Sequence, residues 1–499
     1  MNIKLTSKYI PYIAIVLPIF TGAKTVLPKE ISIEGKNFIE TALKFFEGGE
    51  KSAKVLRIPN GKDVMTVVLL GLGDKKVWNH RKFFLAVRRI VGIAKSEKIK
   101  EIGFNLRDLT PKVTDDEALK LVAVNLMKAD YDFNKYKEVP KEGWPKIDSI
   151  YISVSKINKN LERALEEGII IGEEVNLSRD LANTPGGDMT PIVLANDAVK
   201  SGKRAGFTVK ILDEKEIEKL GMGGIMGVSK GSSEKPRFII AEYWGNPTSH
   251  KATKGKEKNE KPIVFVGKGV TFDSGGINLK PGESSYEMHM DMTGGGAVIH
   301  AIAAIARLKL KVNAVALVPA VENMPSGSSY RPGDLLRTIT GKTIEVLNTD
   351  AEGRVILADG LGYAQKYKPS LIVDVATLTG SAMGALGLRA MAIFTDDQKL
   401  SKKIQDLGEE TNELGWPLPL WDEYFEDIKG TFGDVANSAK TRYGGAITSA
   451  LFLKQFVGQY PWVHLDIAPT MTTIDGQYLA KGASGTAVQL LVELARTRE

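Results

Sequence analysis

The sequence has 499 residues, 43% of them hydrophobic and 25% charged, which is typical of a globular protein with two or more domains. Cysteine is absent, so disulfides, cysteine-ligated zinc sites and a cysteine nucleophile are excluded, and a reducing cytoplasm is the expected location. A net charge of +7, from 67 basic and 60 acidic side chains, is too mild to indicate a polyanionic partner by itself.

An apolar run near the start, IPYIAIVLPIF (residues 10–20), resembles the centre of a signal peptide. It is too short to span a bilayer, contains two prolines and lacks a clear cleavage site after it. We therefore interpret it as the first strand of an N-terminal domain and expect no membrane association.

Residues 1–165 alternate between strand and helix patterns. VMTVVLLGLG (residues 64–73) predicts a buried strand, residues 80–98 predict a helix, and EIGFNL predicts a short strand. TDDE, starting at Thr114, is a capping box that predicts the start of another helix. No residue pattern here indicates chemistry, so we predict a small α/β domain with an assembly or regulatory role.

Residues 166–499 predict a larger catalytic domain. A long helix at residues 160–181 leads into the Pro/Gly-rich junction ANTPGGDMTP, and short Val/Ile-rich strands then alternate with helices. The predicted strands are FTVKIL, RFIIAEY, PIVFVG, KVNAVALVP, TIEVLN, LIVDVAT, AMAIF and WVHLDIA. The fold class is therefore α/β, with a central, mostly parallel mixed sheet covered by helices on both faces. The lysine-rich SHKATKGKEKNEK (residues 249–261) is interpreted as a solvated loop.

Two predicted strand ends contain the candidate functional residues, because ligands of such sheets bind beyond the strand C-termini. After PIVFVG, the residues Lys268, Asp273, Lys280 and Asp291 precede a Gly-opened apolar helix. Repeated glycines in this crossover permit tight turns and close backbone approach.

The second strand end is TIEVLN, which continues into NTDAEGR. If this segment is extended, Asp350, Glu352 and Arg354 point to one side. The following VILADGLGYAQKY predicts a buried helix whose positive N-terminus Arg354 reinforces.

Three aspartates and one glutamate converging at a buried sheet edge would repel one another unless cations neutralise them. Four carboxylates can hold two divalent ions by bridging, and such a centre supports hydrolysis. The alternative to a metal centre is that each acidic residue is a helix cap or a solvated side chain without a catalytic role. A two-metal phosphoester hydrolase is a second alternative, although such sites usually include histidine.

Other catalytic motifs fail on inspection. TGKT (residues 340–343) lacks the upstream glycine of a P-loop and precedes a strand, and neither G-x-S-x-G nor H-E-x-x-H occurs. The five histidines are scattered; only His289 is near the acids, and His464 is interpreted as an interior group.

Several motifs resemble the leucyl aminopeptidase family of cytosolic metallo-aminopeptidases. They are VGKGVTFDSGGINLKP, MDM before a Gly/Ala-rich helix, NTDAEGRVILADGL, DVATLTGS, YGGAITSALFLKQF, WVHLDIA and KGASGTAVQLL, with NLSRDLANTPGGDMTP at the junction. The resemblance covers residues 165–499 strongly. It implies hydrolysis of the N-terminal peptide bond of peptides and release of single amino acids.

The resemblance implies two metals bridged by Asp273 and Glu352. It assigns Lys268 and Asp291 to one metal and Asp350 to the other. A lysine ligand must be a neutral amine, so burial and a dication must lower its pKa. Manganese or zinc are the first candidates, and cobalt or magnesium also suit such a site.

The resemblance also assigns roles in catalysis and substrate binding. Lys280 polarises the scissile carbonyl, and Arg354 binds a bicarbonate that acts as general base. Thr377, Leu378 and Gly380 of TLTG orient the peptide, whose free α-amine binds a metal. Met288, in SYEMHMD where relatives often differ, lines the pocket for the first side chain.

The family further implies a homohexamer with its sites facing an interior cavity. A different class of function, nucleic-acid binding through the basic N-terminal domain, is an additional or alternative role.

Overall fold

The computed structural model describes residues 1–7, 13–110, 113–245 and 261–498. The chain divides into two compact units. The first comprises Met1–Glu173 and Asp475–Ala480, and the second comprises Glu174–Ile474 and Lys481–Glu499. The predicted lysine-rich loop, except Lys261, and the first residues of the apolar run lie outside the described residues.

The first unit is built on a sheet and short helices. Its strands are β1 (Asn2–Thr6), β2 (Ala14–Phe20), β3 (Ala53–Asn60), β4 (Asp63–Gly73), β5 (Glu101–Asn105) and β6 (Ser149–Ser153). Its helices are α1 (Ile33–Leu43), α2 (His80–Ser96), α3 (Leu106–Leu109) and α4 (Asp115–Asp130), and α5 (Lys159–Asn183) contains the point of division.

The sheet of the first unit has the order β1-β6-β5-β2-β4-β3, parallel throughout except for the β3/β4 pair. Alternate residues of β2 face opposite cores. Ala14 and Val16 pack with residues of α2 and α4, whereas Ile15 and Leu17 pack with Ile39 of α1. The strand prediction for the apolar run is thus confirmed from Ala14 onward, although β1 precedes it.

The second unit contains the remaining elements. Its strands are β7 (Thr208–Leu212), β8 (Arg237–Trp244), β9 (Ile263–Gly267), β10 (Gly269–Asp273), β11 (Asn313–Asn323), β12 (Leu335–Arg337), β13 (Thr343–Glu345), β14 (Leu371–Ala376), β15 (Met391–Phe394), β16 (Gly415–Pro417), β17 (Val435–Ala436) and β18 (Trp462–Asp466). Its helices are α6 (Pro191–Ala205), α7 (Glu214–Lys219), α8 (Gly223–Ser229), α9 (Thr293–Arg307), α10 (Glu352–Ala364), α11 (Gly380–Leu386), α12 (Gln398–Thr411), α13 (Gly445–Lys454) and α14 (Val488–Arg496).

The central sheet has the order β16-β15-β18-β14-β9-β11-β8-β7, with β10 also paired to β11. Its middle strands β18, β14, β9 and β11 are mutually parallel, and antiparallel pairs occur toward both edges, at β15/β18, β8/β11 and β7/β8. The predicted mostly parallel mixed sheet is confirmed. Its central strands are buried on both faces, as their continuous apolar sequences require.

Helices α9 and α10 cover opposite faces of the central strands. Val264 and Val266 of β9 share a core with α10, while the Cα of Gly267, on the other face, lies so close to α9 that an added Cβ would approach Gly294 O to 2.5 Å. A glycine is therefore needed where the helix that follows Asp291 meets the end of β9.

Two local predictions differ from the structure. TIEVLN contributes only β13, which belongs to a small sheet with β12 and β17 instead of the central sheet. Helix α4 begins after Thr114 as predicted, but the capping box does not form: the Thr114 hydroxyl bonds the Asp116 carboxylate, which lowers the pKa of Asp116. No helix among the described residues is long and apolar enough to cross a membrane.

Candidate metal centre

The C-terminal ends of neighbouring parallel strands supply part of the centre and several of the residues around it. Lys268 follows β9, and Asp273 ends β10 directly opposite Asn323, the last residue of β11. Thr377 follows β14, and Asp466 ends β18. The strand-end expectation therefore holds for Lys268 and Asp273, whereas Lys280 and Asp291 lie in the connection between β10 and α9.

Asp350 and Glu352 reach the same place by a different route from the predicted extended segment. Asp350 lies in a turn, and Glu352 is the first residue of α10, so Arg354 lies in the first helical turn. The reason is that α10 begins at Glu352, three residues earlier than an extended NTDAEGR would allow. Asp273, Asp350 and Glu352 each place a carboxylate oxygen within 4.8 Å of the others.

Two lysines lie among the carboxylates. Lys268 Nζ is 2.7 Å from Asp291 Oδ2 and 2.9 Å from Glu352 Oε1, and it donates to the carbonyl oxygen of Thr377 at 3.0 Å. Lys280 Nζ is 2.8 Å from Asp273 Oδ2 and 2.6 Å from Asp350 Oδ1. All six predicted metal-binding and carbonyl-polarising residues therefore form one continuous cluster.

Burial controls the electrostatics of this cluster. It raises the pKa of Asp273 to about 7, with a further rise from the Glu352 carboxylate, and it also raises the pKa values of Asp291 and Asp350. Burial acts in the same direction on Glu352, but Lys268 and Lys280 outweigh it and lower the pKa of Glu352.

The donor set fits divalent cations. Glu352 is 1% exposed, and its Oε2 atom has no hydrogen-bond partner among the described residues. An unpartnered buried carboxylate oxygen is costly, and four carboxylates oppose only two ammonium groups. Clustered hard oxygen donors at this spacing suit a divalent ion.

A ring of uncharged groups holds the cluster in place. Asn323 Nδ2 donates to Asp273 Oδ1 at 2.8 Å and to the Thr349 carbonyl oxygen at 3.0 Å, which also accepts from Tyr330 Oη at 2.7 Å. The residue before Asp350 is thus fixed from two sides. Gly353 leaves room for Lys268, because an added Cβ would lie 2.5 Å from Lys268 Cε.

Arg354 lies beside the carboxylates without pairing with them. Its Nη1 donates to the carbonyl oxygen of Asn437 at 2.8 Å, and its buried Nε has no hydrogen-bond partner among the described residues. Burial lowers the pKa of Arg354 to about 10, partly offset by Glu352 and Asp466, so the guanidinium is charged at neutral pH.

The predicted substrate-binding residues differ in what they contact and in how exposed they are. Thr377 Oγ1 donates to Asp291 Oδ1 at 2.8 Å, so its side chain supports the cluster. The amide of Leu378 donates to Asp466 Oδ1 at 3.1 Å, and Gly380 begins α11 in an exposed position with open space around it. Met288 is half-buried at the start of a short 3-10 helix (Met288–Met290) that precedes Asp291.

Sequence reasoning missed three residues that organise the centre: Asn323, Asn437 and Asp466. Asn323 and Asp466 end central strands, so the strand-end rule could have found them. Asn437 carried no such signal, because it follows a strand of only two residues. His464 is interior as predicted, with Nδ1 2.6 Å from Asp374 Oδ1.

Two models of known protein families match the sequence of this chain. The family model described as "Cytosol aminopeptidase family, catalytic domain" matches residues 176–492, and its N-terminal domain model matches residues 26–140. The chain belongs to the cytosol aminopeptidase family. It is therefore a metallo-aminopeptidase, and the resemblance drawn from its motifs is confirmed.

Individual members of the cytosol aminopeptidase family agree over most of the chain. Proteins named "Probable cytosol aminopeptidase" from Burkholderia pseudomallei (strain 668) and Burkholderia mallei (strain SAVP1) are each 39% identical over 436 residues, which is 87% of this chain and 84% of theirs. The solved structure titled "Bottromycin maturation enzyme BotP in complex with Mn" is 30% identical, with a TM-score of 0.83, over 97% of this chain and 99% of that one.

Proposed function

We propose that this metallo-aminopeptidase hydrolyses the N-terminal peptide bond of peptides and releases single amino acids, as leucyl aminopeptidases do. The observation that carries the proposal is the buried cluster of Asp273, Asp291, Asp350 and Glu352 with Lys268 and Lys280. No histidine among the described residues takes part in these contacts, which disfavours the phosphoester alternative.

The cluster would hold two divalent cations. Asp273 and Glu352 would bridge them, Lys268 and Asp291 would complete one site, and Asp350 would complete the other. Burial opposes the charge on Lys268, but Asp291 and Glu352 outweigh it and raise its pKa, so Lys268 would bind an ion only after losing a proton. When bound, the ions supply Lewis acidity that polarises a carbonyl and lowers the pKa of a water molecule. The manganese in the BotP title makes Mn²⁺ the first ion to test, with Zn²⁺, Co²⁺ and Mg²⁺ beside it.

Lys280 and Arg354 would supply the two positively charged side chains that act directly in the reaction. Burial opposes the charge on Lys280, but Asp273 and Glu352 outweigh it and raise its pKa, so it presents an ammonium to a carbonyl oxygen. Arg354 lies in the first turn of α10, and its Nε has no hydrogen-bond partner among the described residues; it would orient a bicarbonate ion that serves as general base.

The substrate would be a peptide with a free N-terminus. The main chain from Leu378 to Gly380, where Asp466 accepts from the Leu378 amide and the space around Gly380 is open, would align the peptide backbone, and Met288 would contact the first side chain. A homohexamer in the cytoplasm, with the first unit in an assembly or regulatory role, completes the proposal by analogy with the family.

The deciding experiment is turnover of a panel of amino-acid anilides after metal stripping and re-addition of each ion. We expect recovery with at least one ion, and a loss of at least about a hundredfold in Glu352→Ala because a bridging ligand is removed. Glu283→Ala, an exposed acid outside the cluster, is the matched control and should retain activity. No recovery with any of the four ions would contradict the proposal.

Two further arms address the finer assignments. Bicarbonate should stimulate the wild-type enzyme in carbonate-free buffer and have little effect on Arg354→Ala. Polyanion binding that is unchanged in Glu352→Ala would show that nucleic-acid binding is a separate activity.

A further inference from the structure

A cleft opens at the end of the central sheet opposite to the metal centre, where the central parallel strands begin. It lies at the N-terminal ends of β9 and β11 and beside Ser370, just before β14, with α12 and the end of α14 forming its other walls. Its volume is about 460 Å³. Strand β9, at roughly 3.3 Å per residue, separates this cleft from Lys268.

The charged residues lining the cleft are all cationic. They are Lys261, Lys403 and Arg498, and no aspartate or glutamate of the described chain contributes to the lining. None of the three forms an ion pair with another described residue, and the buried Nε of Arg498 has no hydrogen-bond partner among the described residues.

Two of the three charges, those of Arg498 and Lys403, are unfavourable as they stand. Burial lowers the pKa of Arg498, and burial together with the Arg498 charge lowers the pKa of Lys403. Like charges held together, with no counter-charge among the described residues of the lining, favour an anion in the space between them. The positive charge of the cleft therefore favours the binding of an anion, at the end of the sheet away from the metal centre.

The chemistry of the lining limits the anion. The hydroxyls of Thr497 and Ser370 already donate to the carbonyl oxygens of Leu494 (2.7 Å) and Pro262 (3.3 Å). The lining also contains the Asn313 carboxamide, and its charged donors are the side chains of Lys261, Lys403 and Arg498. An arginine fork with two ammonium groups matches phosphoryl oxygens. Within the part of the chain that the structure describes, no aromatic ring lines the cleft to stack on a base.

We propose that this cleft binds a compact phosphate-bearing anion, with recognition of the phosphoryl groups and not of an attached base. Nothing in the aminopeptidase reaction requires this site, so the inference stands apart from the proposed function. Inorganic pyrophosphate is the probe that tests it.

The first test uses the metal-loaded full chain and follows lysine acetylation by mass spectrometry at constant ionic strength. Pyrophosphate should slow acetylation of Lys403 and Lys261 by about fivefold or more, as charge-assisted contacts cover their ammonium groups. Lys399 and Lys402, on the same helix α12 but outside the cleft, should react unchanged. The readout is local, so phosphate bound at the metal centre does not register.

The second test measures pyrophosphate affinity in the presence of saturating catalytic metal. In the double variant Lys403→Gln/Arg498→Gln, the pyrophosphate concentration needed to protect Lys261 should rise by about a hundredfold. The reason is that the removal of each charge-assisted hydrogen bond costs about tenfold or more in affinity. Lys399→Gln/Lys402→Gln removes the same charge and should leave that concentration unchanged.

Two outcomes would overturn the proposal. One is equal slowing at Lys403 and Lys399, which would reveal only diffuse screening. The other is protection by ADP but not by pyrophosphate, which would mean that a base is required. Protection by both, with pyrophosphate at least as effective, supports recognition of the phosphate chain.

Discussion

Asp466 is a buried carboxylate that organises the residues after β14. It accepts from the amides of Leu378 and Ala468 and from the Thr379 hydroxyl at 2.7 Å. Its contacts therefore set the path of the main chain that would align the peptide. It is a positioning residue, since it acts through Leu378 and Thr379.

We expect Asp466→Asn to lower kcat/KM by about 10- to 100-fold, because the oxygen that accepts from the Thr379 hydroxyl is replaced by an NH2 donor and small displacements of the site are costly. Steady-state kinetics should show the change, while metal content measured by atomic absorption should stay the same. Thr379→Ser keeps the hydroxyl and is the matched control. Loss of metal in step with activity would assign Asp466 to metal binding instead.

Gly353 is the second informative single position. Its Cα faces the Lys268 side chain, and a Cβ there would approach Lys268 Cε and Nζ to 2.5 and 2.7 Å. We expect Gly353→Ala to displace Lys268 and reduce both metal retention and activity at least about tenfold, the scale typical of disturbed ligand support. Metal titration followed by activity assay checks this result.

Gly92→Ala provides the control for that variant, because Gly92 is also helical but has open space around its Cα. Alanine there should stabilise the protein by about 0.5–1 kcal/mol through its higher helix propensity. A Gly353→Ala enzyme with full metal content and activity would mean that Lys268 tolerates the displacement.

At the scale of elements, a buried ionic network joins three helices. Glu174 of α5 is fully buried and bonds His300 Nδ1 of α9 (2.9 Å), Arg307 Nη1 of α9 (2.6 Å) and Arg204 Nη2 of α6 (2.7 Å). Asp197 of α6 faces the other ring nitrogen of His300 at 3.4 Å. Helices α5, α6 and α9 are thus tied together behind the catalytic sheet.

This network predicts a pH dependence of stability. Burial opposes the charge on His300, but Asp197 and Glu174 outweigh it and raise the pKa of His300 to about 9 from an ordinary value of 6.5. The stabilisation is fully present below pH 6.5 and is lost as pH rises through about 9. We expect the wild-type free energy of unfolding to fall by about 2 kcal/mol across this window, and denaturant titrations at several pH values would measure it.

His300→Gln is the test variant, because it keeps a polar side chain but cannot titrate. Its stability should be lower at pH 6 and nearly flat between pH 6.5 and 9. Glu174 changes stability with pH in the opposite direction. Burial acts to raise its pKa, but hydrogen bonds from His300 and Arg204 outweigh burial and lower the pKa of Glu174 to about 2. Its contribution is therefore present above pH 4.5 and lost as pH falls toward 2. A wild-type curve parallel to that of His300→Gln would refute this account.

At the scale of the whole molecule, the metal centre couples ligand binding to stability. Four carboxylates, from the end of β10, the segment before α9 and the start of α10, repel one another in the folded state, and ions bound only to that state relieve the repulsion. Saturation at about 100 times the dissociation constant would add about 2.7 kcal/mol.

Metal removal should therefore lower the thermal unfolding midpoint. Scanning calorimetry of metal-loaded and chelator-treated protein would show it, and the difference should shrink in Glu352→Gln, which lacks one negative charge of the cluster. Identical midpoints for the two wild-type forms would contradict a structural contribution from the ions.

Much of the architecture follows from local sequence. The continuous apolar runs of β9, β11 and β14 predict buried parallel strands because such strands are covered on both faces, and NTDAEGR with the apolar helix after it was enough to indicate the family. The strand-end rule also predicted where Lys268 and Asp273 would lie. These features depend on neighbours along the chain, so the sequence alone determined them.

Tertiary structure decided the rest, because it depends on residues far apart in the chain. Whether NTDAEGR was extended or helical could not be read from its alternation, and its conformation is set by Asn323 and Tyr330 holding the Thr349 carbonyl. The contacts of Asp466, the Glu174 network and the cationic cleft likewise join segments from different parts of the second unit. Groups separated by about 30 residues or more leave no periodic signal, and only folding brings them into contact.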